Sequence, residues 1–236
     1  MKILAIVPSF NEEKNIVGVI ESIKAENSLI DILVVDDGSE DHTSRAAVST
    51  GRASLIKLSC NLGIGGAVQT GLKFARQHDY DLAFQFDGDG QHISSEIEKL
   101  LAPIRRDEAD VVIGSRFCQD GGVFKSSLLR RVGIKIFEVL NSLLIRQRIT
   151  DNTSGFRAYN RKAIDFLAGN YPMDYPEPET IILLGRNGFT LKEVFVTMRE
   201  RVHGNSSITG LETAYYMIKV MLAVLVTFLR PKIVKD

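Results

Sequence analysis

Five short runs rich in apolar and β-branched residues recur through the first half of the chain, separated by stretches of helical periodicity. The runs are Lys2–Val7, Asp31–Val35, Ala53–Leu58, Asp81–Phe86 and Asp110–Gly114, with helical patterns near residues 12–26, 41–50, 65–78 and 94–106. Strands that alternate with helices in this way specify an α/β fold, a mostly parallel central sheet with helices on both faces. Sheets of that class bind ligands beyond the carboxyl ends of their strands. The 236 residues suit one domain, and 44% hydrophobic with 25% charged residues excludes a disordered chain and a disulfide-stapled scaffold.

Each run ends in a polar or glycine-rich segment. These are Pro8-Ser9-Phe10-Asn11-Glu12-Glu13, Asp36-Asp37-Gly38-Ser39-Glu40-Asp41, Asn61-Leu62-Gly63-Ile64-Gly65-Gly66-Ala67, Asp87-Gly88-Asp89-Gly90-Gln91-His92 and Ser115-Arg116. The topology brings all five to one rim. Two carboxylates one residue apart at the end of a buried strand, Asp87 and Asp89, raise each other's pKa unless a cation sits between them. Mg²⁺ or Mn²⁺ takes such oxygen ligands and keeps positions open for phosphate oxygens. Gln91 and His92 lie near enough to add a ligand. The alternative, a plain Asp/Gly turn, is weakened by the four other polar strand ends on the same rim.

Asp36 and Asp37 close a strand of Ile, Leu and Val. An acid at that place accepts hydrogen bonds from a base edge or ribose hydroxyls, and Asp37 is the expected contact. Ser39 or Asp41 is expected to start the next helix as its N-cap. A dinucleotide fingerprint would need glycines at 63, 65 and 68, but position 68 is Val68 and the loop follows the third strand. Nicotinamide and flavin binding are therefore disfavoured, and the absence of a GxxxxGK[ST] sequence excludes a P-loop nucleotide hydrolase. A glycine-rich loop that opens a helix still lets backbone approach phosphate, or serves tight helix–strand packing.

The chain has 29 Lys+Arg and 29 Asp+Glu, a net charge of zero that argues against a nucleic-acid binder. The sum conceals an asymmetry: residues 1–118 carry a net −6 and residues 119–236 a net +6. The opening apolar run is cut short by Pro8, so no signal peptide is expected. Cys60 and Cys118 have neither metal-ligand spacing nor activating neighbours and are expected to be reduced packing residues. The longest apolar stretch, Ala214 to Leu229, contains Lys219 and falls short of the roughly 20 residues of a spanning helix.

This combination of motifs resembles the family 2 glycosyltransferases, inverting enzymes with the GT-A nucleotide-sugar fold. Within that family it is most similar to polyprenyl-phosphate sugar transferases of the dolichyl-phosphate mannose synthase type. Their D-x-D-x-Q pattern matches Asp87, Asp89 and Gln91 and implies that all three ligate the metal. Their S-G-F element matches Ser154-Gly155-Phe156, and their R-x-x-G-x-S element matches Arg201-Val202-His203-Gly204-Asn205-Ser206. Ser9-Phe10 departs from the Tyr or Thr often found before Asn in the family, and the C-terminal membrane spans of many relatives have no counterpart here.

The resemblance implies a hexosyl- or N-acetylhexosaminyltransferase with a UDP- or GDP-type sugar donor. Its donor contacts would fall on Pro8, Phe10, Asn11, Glu12, Asp36, Asp37, Asn61, Gly65, Asp87 and Gly88. Asp89 and Arg116 would carry catalysis, and Arg116, Arg131, Arg201 and Ser206 would hold the acceptor phosphate.

Residues 125–162 carry a local net of +7, and Leu129, Val132, Ile136, Phe137, Leu140, Leu143 and Leu144 recur there at helical spacing. A basic amphipathic helix of this kind suits an anionic membrane interface, or packs on the sheet as a solvated helix. A phosphate monoester acceptor is already an oxyanion near neutral pH, with a second pKa of about 6. It needs cations rather than a general base, and Arg suits it through bidentate contacts. Asp151 is the fallback base for a hydroxyl acceptor and otherwise positions a cation.

The expected organisation is a catalytic domain over 1–210, with a nucleotide-sugar and metal half (1–118) and an acceptor half (119–210). Residues 211–236 form a C-terminal helix that meets the membrane, a small membrane-protein partner or a second copy. The enzyme would sit on the cytoplasmic face of the membrane, as a peripheral protein. The main alternative acceptor is a sugar hydroxyl in cell-surface polysaccharide synthesis. A nucleotidyltransferase is disfavoured because no G-x-G-[ST]-R loop follows the first strand, and a non-catalytic binding protein because the Asp87/Asp89 pair is intact.

Overall fold

In the computed structural model, residues 1–118, 142, 144–199 and 211–233 are described, with side chains of the last helix described from Lys219 onward. The five expected strands form as β1 (Ile3–Ser9), β2 (Asp31–Asp36), β3 (Ser54–Lys57), β4 (Leu82–Gln85) and β5 (Val111–Ser115). Between them run α1 (Ile16–Glu26), α2 (Thr43–Ser49), α3 (Gly63–Gln77) and α4 (Ile97–Arg105), the last preceded by a 3₁₀ turn at Ser94–Glu96. Two strands unread in the sequence follow, β6 (Arg157–Asn160) and β7 (Leu191–Phe195). Helices α5 (Arg161–Asn170) and α6 (Pro176–Arg186) lie between these strands, and α7 (Leu211–Leu229) comes last.

The seven strands lie in the order β3-β2-β1-β4-β6-β5-β7. β1, β2, β3 and β4 pair in parallel, as do β5 and β7, while β6 runs antiparallel between β4 and β5. Alternation along the strands sorts side chains to two cores. Leu4, Ile6, Leu33 and Val35 face α3, α5 and α6, whereas Ala5, Val7, Ile32 and Val34 face α1 and α4. The strand order turns back on itself at β1, which has β2 on one side and β4 on the other. That places a crevice between the carboxyl ends of β1 and β4, the location expected for a ligand.

Two expectations change. Helix α2 starts at Thr43 with His42 at its N-cap, so neither Ser39 nor Asp41 caps it. Both are drawn into lacing the first two loops: Ser39 Oγ accepts from Asn11 N–H, and Asp41 takes the N–H groups of Thr43 and Glu13. Cys60 is exposed rather than packed.

Helix α3 lies so close to β1 that a Cβ on Gly71 would stand 2.3 Å from Ile6 Cγ2, while Gly18 in α1 has open space around it. Gly71→Ala should therefore destabilise the fold by about 1–3 kcal/mol through overpacking. Gly18→Ala should stabilise it by about 0.5–1 kcal/mol by lowering the entropy of the unfolded chain. Urea unfolding of both variants measures the contrast.

Candidate active site

The rim segments hold one another in place before any ligand arrives. Asp36 is fully buried, and its carboxylate accepts from Ser39 N–H at 2.8 Å and from the Ser44 hydroxyl. Asn11, at φ 57°, accepts from Glu40 N–H through its side chain. Glu12 N–H donates to Thr43 Oγ1, and its carboxylate accepts from Asn15 Nδ2. Pro8 stays inside β1, and Phe10 is exposed on the rim. Asn11 and Glu12 thus join the β1–α1 and β2–α2 loops, and Asp36 braces the second from within.

Asp37 faces the other way. Its Oδ1 accepts from Leu62 N–H at 2.7 Å, at the residue before α3. Burial pushes this carboxyl above its ordinary value, against the lowering effect of the Leu62 and Gly63 N–H groups. Asn61 accepts from Gly63 N–H and shapes the same turn. Gly65 turns toward protein: a Cβ there would stand 2.7 Å from the carbonyl oxygens of Pro172 and Met173. Its missing side chain admits the loop ahead of α6, so the packing use of this glycine is the one the fold displays.

Beyond β4, Asp87 and Asp89 stand on a turn braced from within. Gln85 Nε2 donates to Asp87 Oδ1 at 2.8 Å. Gln91 donates to Asp89 twice, from its backbone N–H at 3.0 Å and from Nε2 at 2.8 Å. Gln91 therefore supports Asp89 through its amide nitrogen, which leaves the amide oxygen as the atom for a cation. His92 is turned inward. Its Nδ1 accepts from Asp87 N–H at 3.0 Å, and its ring stacks on Phe156 with centroids 4.5 Å apart. Burial lowers its pKa to about 4, so at neutral pH it is an uncharged brace for the turn. Gly88 and Gly155 let neighbours close in: a Cβ would stand 2.4 Å from Ser9 Oγ and 2.7 Å from Gln85 Nε2, respectively.

Beyond β5, Arg116 meets Asp151. Nε donates to Oδ2 and Nη2 to Oδ1, both at 2.8 Å, and Arg116 N–H adds a contact at 3.1 Å. The Asp151 side chain is completely buried and that of Arg116 is 21% exposed. Burial alone would raise the Asp151 carboxyl; the hydrogen bonds and charge of Arg116 outweigh it and hold the group below its ordinary value. Asp151 is thus an ionised anchor for Arg116. Glu193 of β7 completes the support, accepting from Thr150 N–H at 2.8 Å and Asp151 N–H at 2.7 Å.

Two contributors went unread in the sequence. Arg157, only 1% exposed, donates to the carbonyl oxygens of Ser154 at 2.7 Å, Glu177 at 2.9 Å and Asn152 at 3.4 Å. It ties the Asn152–Gly155 turn, which abuts Asp87, to the first turn of α6. Glu177 in that first turn is half-buried. A lone acid between two prolines reads as an ordinary helix start, and Arg157 reads as the end of the Ser154-Gly155-Phe156-Arg157 match and as part of a cationic stretch, with no sign of its bracing role. Arg131, Arg201 and Ser206, expected at the acceptor phosphate, lie outside the described residues. The segment leading to the last two begins beside the Asp87–Gln91 turn, where Arg199 N–H donates to the Gln91 carbonyl at 2.8 Å.

Comparison with known proteins agrees with this geometry. Residues 4–167 match the family described as glycosyl transferase family 2. A UDP-N-acetylglucosamine–dolichyl-phosphate N-acetylglucosaminyltransferase of Methanococcus voltae is 29% identical over 238 residues, covering 92% of this chain and 94% of the relative. A polyprenol monophosphomannose synthase of Mycolicibacterium smegmatis is 30% identical over 225 residues, covering 92% and 84%. Among solved structures, glucosyl-3-phosphoglycerate synthase from Mycobacterium tuberculosis, in complex with Mn²⁺, UDP and phosphoglyceric acid, superposes with a TM-score of 0.70 at 21% identity. That match covers 98% of this chain and 79% of the other. It establishes the shared GT-A fold.

Removing Arg116 strands a fully buried carboxylate. Arg116→Ala should therefore cost about 3–5 kcal/mol in urea unfolding. An Arg116→Met/Asp151→Leu double variant should lose less than the sum of its two single variants. Additive losses would show that the pair is not coupled.

Proposed function

The chain belongs to glycosyl transferase family 2, and on that premise we propose a reaction for it. It transfers a hexosyl or N-acetylhexosaminyl group from a UDP- or GDP-type sugar to polyprenyl phosphate, with inversion at the anomeric carbon. The observation that carries the reading is the braced Asp87/Asp89 turn beyond β4, together with an arginine beyond β5 whose position is set by a buried anion. The names of the Methanococcus and Mycolicibacterium relatives supply the acceptor class, and the UDP-bound neighbour supports the donor class.

The donor set fits a hard divalent cation. It offers the carboxylates of Asp87 and Asp89 and the amide oxygen of Gln91. Among the described residues no group of three or more His, Cys, Asp and Glu side chains is placed to hold a metal. Two carboxylates and one amide oxygen would leave positions for the diphosphate, which suits Mg²⁺ or Mn²⁺. Such an ion supplies Lewis-acid stabilisation of charge on the departing nucleoside diphosphate.

The chain's own residues do the rest. Asp37 fixes the start of α3 on the nucleoside side of the crevice, where Pro8, Phe10, Asn11, Glu12, Asn61 and Gly88 border it. Arg116, held by Asp151, presents its guanidinium to the phosphates, with Arg131, Arg201 and Ser206 assigned to the acceptor by the family resemblance. The acceptor oxygen attacks the anomeric carbon from the side opposite the diphosphate. The bond to the diphosphate oxygen breaks, and its electron pair leaves with that oxygen. A phosphate monoester needs no proton removed, which accords with Asp151 being committed to Arg116.

The last helix supports a membrane-surface location. Val220, Val224 and Thr227 are buried against the body of the protein. On the outer side Leu222 (56% exposed), Val226 (51%) and Leu229 (78%) form an apolar stripe at helical spacing, and Ile233 is exposed just beyond the helix. Lys219, Arg230 and Lys232 flank it, and no acid occurs between residues 213 and 233. Cations around an apolar stripe match an anionic bilayer. A symmetric second copy would set cation against cation instead. No helix among the described residues is long and apolar enough to cross a membrane.

Membranes incubated with labelled sugar nucleotide should yield an acid-labile product that partitions into organic solvent. Asp89→Ala should abolish it without changing the circular dichroism spectrum, and a chelator should abolish it in the wild type. Product confined to the aqueous phase would favour the sugar-hydroxyl acceptor instead. In flotation with vesicles of anionic lipid, the wild type should rise with the lipid and Leu222→Ser/Val226→Ser should remain below, while neutral vesicles should carry neither. Equal flotation of both proteins on anionic vesicles would remove α7 from the membrane contact.

A further inference from the structure

Several acids of the fold are wholly or partly buried, and most are already spoken for by the protein. Asp36 is satisfied by Ser39 and Ser44, and Asp151 by Arg116. Glu179 accepts from Tyr175 N–H at 3.1 Å and from Thr227 Oγ1 at 2.9 Å. Glu177 differs. Among the described residues its carboxylate has only its own backbone N–H as a hydrogen-bond partner. The nearby Arg157 guanidinium does not pair with that carboxylate, because its N–H groups go to carbonyl oxygens, including that of Glu177 itself.

Position and rigidity both set Glu177 beside the chemistry. Arg157 bridges Glu177 O to Ser154 O, and the next residue, Gly155, approaches Asp87 so closely that a Cβ would stand 3.2 Å from Asp87 Oδ2. Pro176 and Pro178 flank Glu177 and restrict its backbone. Burial raises its carboxyl above the ordinary value, with the Asp87 charge adding to that and Arg157 opposing it. The fold therefore holds a third carboxylate on the α6 side of the Asp87 turn, near enough for the Asp87 charge to act on it.

We propose that Glu177 is the residue that reads the sugar of the donor, its carboxylate accepting hydrogen bonds from sugar hydroxyls. This rests on the reading of the crevice as a sugar-nucleotide site. A sugar presents hydroxyl donors around its ring, and a carboxylate is an acceptor-only group with four lone-pair directions, suited to two adjacent hydroxyls. Asp87 and Asp89 serve the diphosphate through the cation, which leaves Glu177 for the part of the donor that distinguishes one sugar from another. The plainer role, an acid favourably placed at a helix N-terminus, would leave sugar recognition untouched.

Calorimetric titration with Mn²⁺ present separates these roles. Wild type, Glu177→Gln and Glu177→Ala are each titrated with a panel of UDP- and GDP-sugars and with bare UDP and GDP, after thermal melts confirm folding. Both variants should bind the preferred sugar nucleotide about tenfold or more weaker, the loss expected for a charged hydrogen bond. Bare nucleoside diphosphate should change by less than about twofold, against that same scale. Sugar nucleotides lacking one hydroxyl should bind the wild type as weakly as the intact donor binds the variants.

An unchanged ratio of sugar-nucleotide to bare-diphosphate affinity would overturn the assignment. So would an equal loss of both, which marks a structural role, or a fall in kcat with donor affinity intact. A wild type that binds a sugar nucleotide and transfers nothing would refute the transfer reaction alone. The role of Glu177 would still be decided by the affinities.

Discussion

The buried pair between Arg116 and Asp151 is the interaction on which the rest of the site depends. It joins the end of β5 to the turn over residues 150–153, which β7 caps through Glu193. That turn runs into Ser154 and Gly155, and Gly155 sets how closely the chain passes Asp87. Arg157, the first residue of β6, then reaches from the same turn to Glu177. Placing a carboxylate at zero exposure costs several kcal/mol unless a partner offsets it, so Arg116 cannot turn away without the turn loosening. Because the Asp151 carboxyl is lowered in the folded state, its contribution is complete above the ordinary value of 3.8 and disappears as pH falls through the lower folded value. At neutral pH the pair is fully engaged.

The acidic front half divides its carboxylates between architecture and chemistry. Asp36 and Asp41 lace loops, and Asp37 holds the entry to α3. Their partners are backbone N–H groups that would otherwise lack acceptors at the ends of helices and strands. Asp87 and Asp89 are themselves hydrogen-bonded, and the neutral amides of Gln85 and Gln91 help orient them. In the proposed reaction a cation and a diphosphate would meet groups already oriented, which would leave little reorganisation for the reaction itself.

Much of this was legible because the parallel strands announce themselves as continuous apolar runs, and the rule that ligands gather at their carboxyl ends turns a list of loops into a site. The Asp87/Asp89 turn and Arg116 were found that way. β6 and β7 were missed because four- and five-residue strands bearing Arg157, Lys192 and Glu193 carry no apolar run to read. Gly65 shows the limit from the other side: a glycine-rich loop permits either phosphate approach or close packing, and only the backbone of Pro172 and Met173 against it distinguishes the two. Glu177 has no local signal, since its neighbours in space, Asp87 and Arg157, lie 90 and 20 residues away in the chain.

The net charge of zero has a structural counterpart in how α7 is attached. Its inner side carries Thr227, which donates to Glu179, and Glu179 in turn accepts from Tyr175 N–H at the start of α6. Glu177 lies in that same turn. Val224 meanwhile belongs to the core formed with α3, α5 and α6. The helix whose outer, cationic stripe we assign to an anionic surface is thus joined to the donor crevice by buried hydrogen bonds and core packing. A loose tether would let the crevice open in any direction relative to the bilayer. A buried attachment fixes that direction, and in the proposed reaction a lipid phosphate anchored at the surface would then reach the same side of the anomeric carbon each time, which a single displacement with inversion requires.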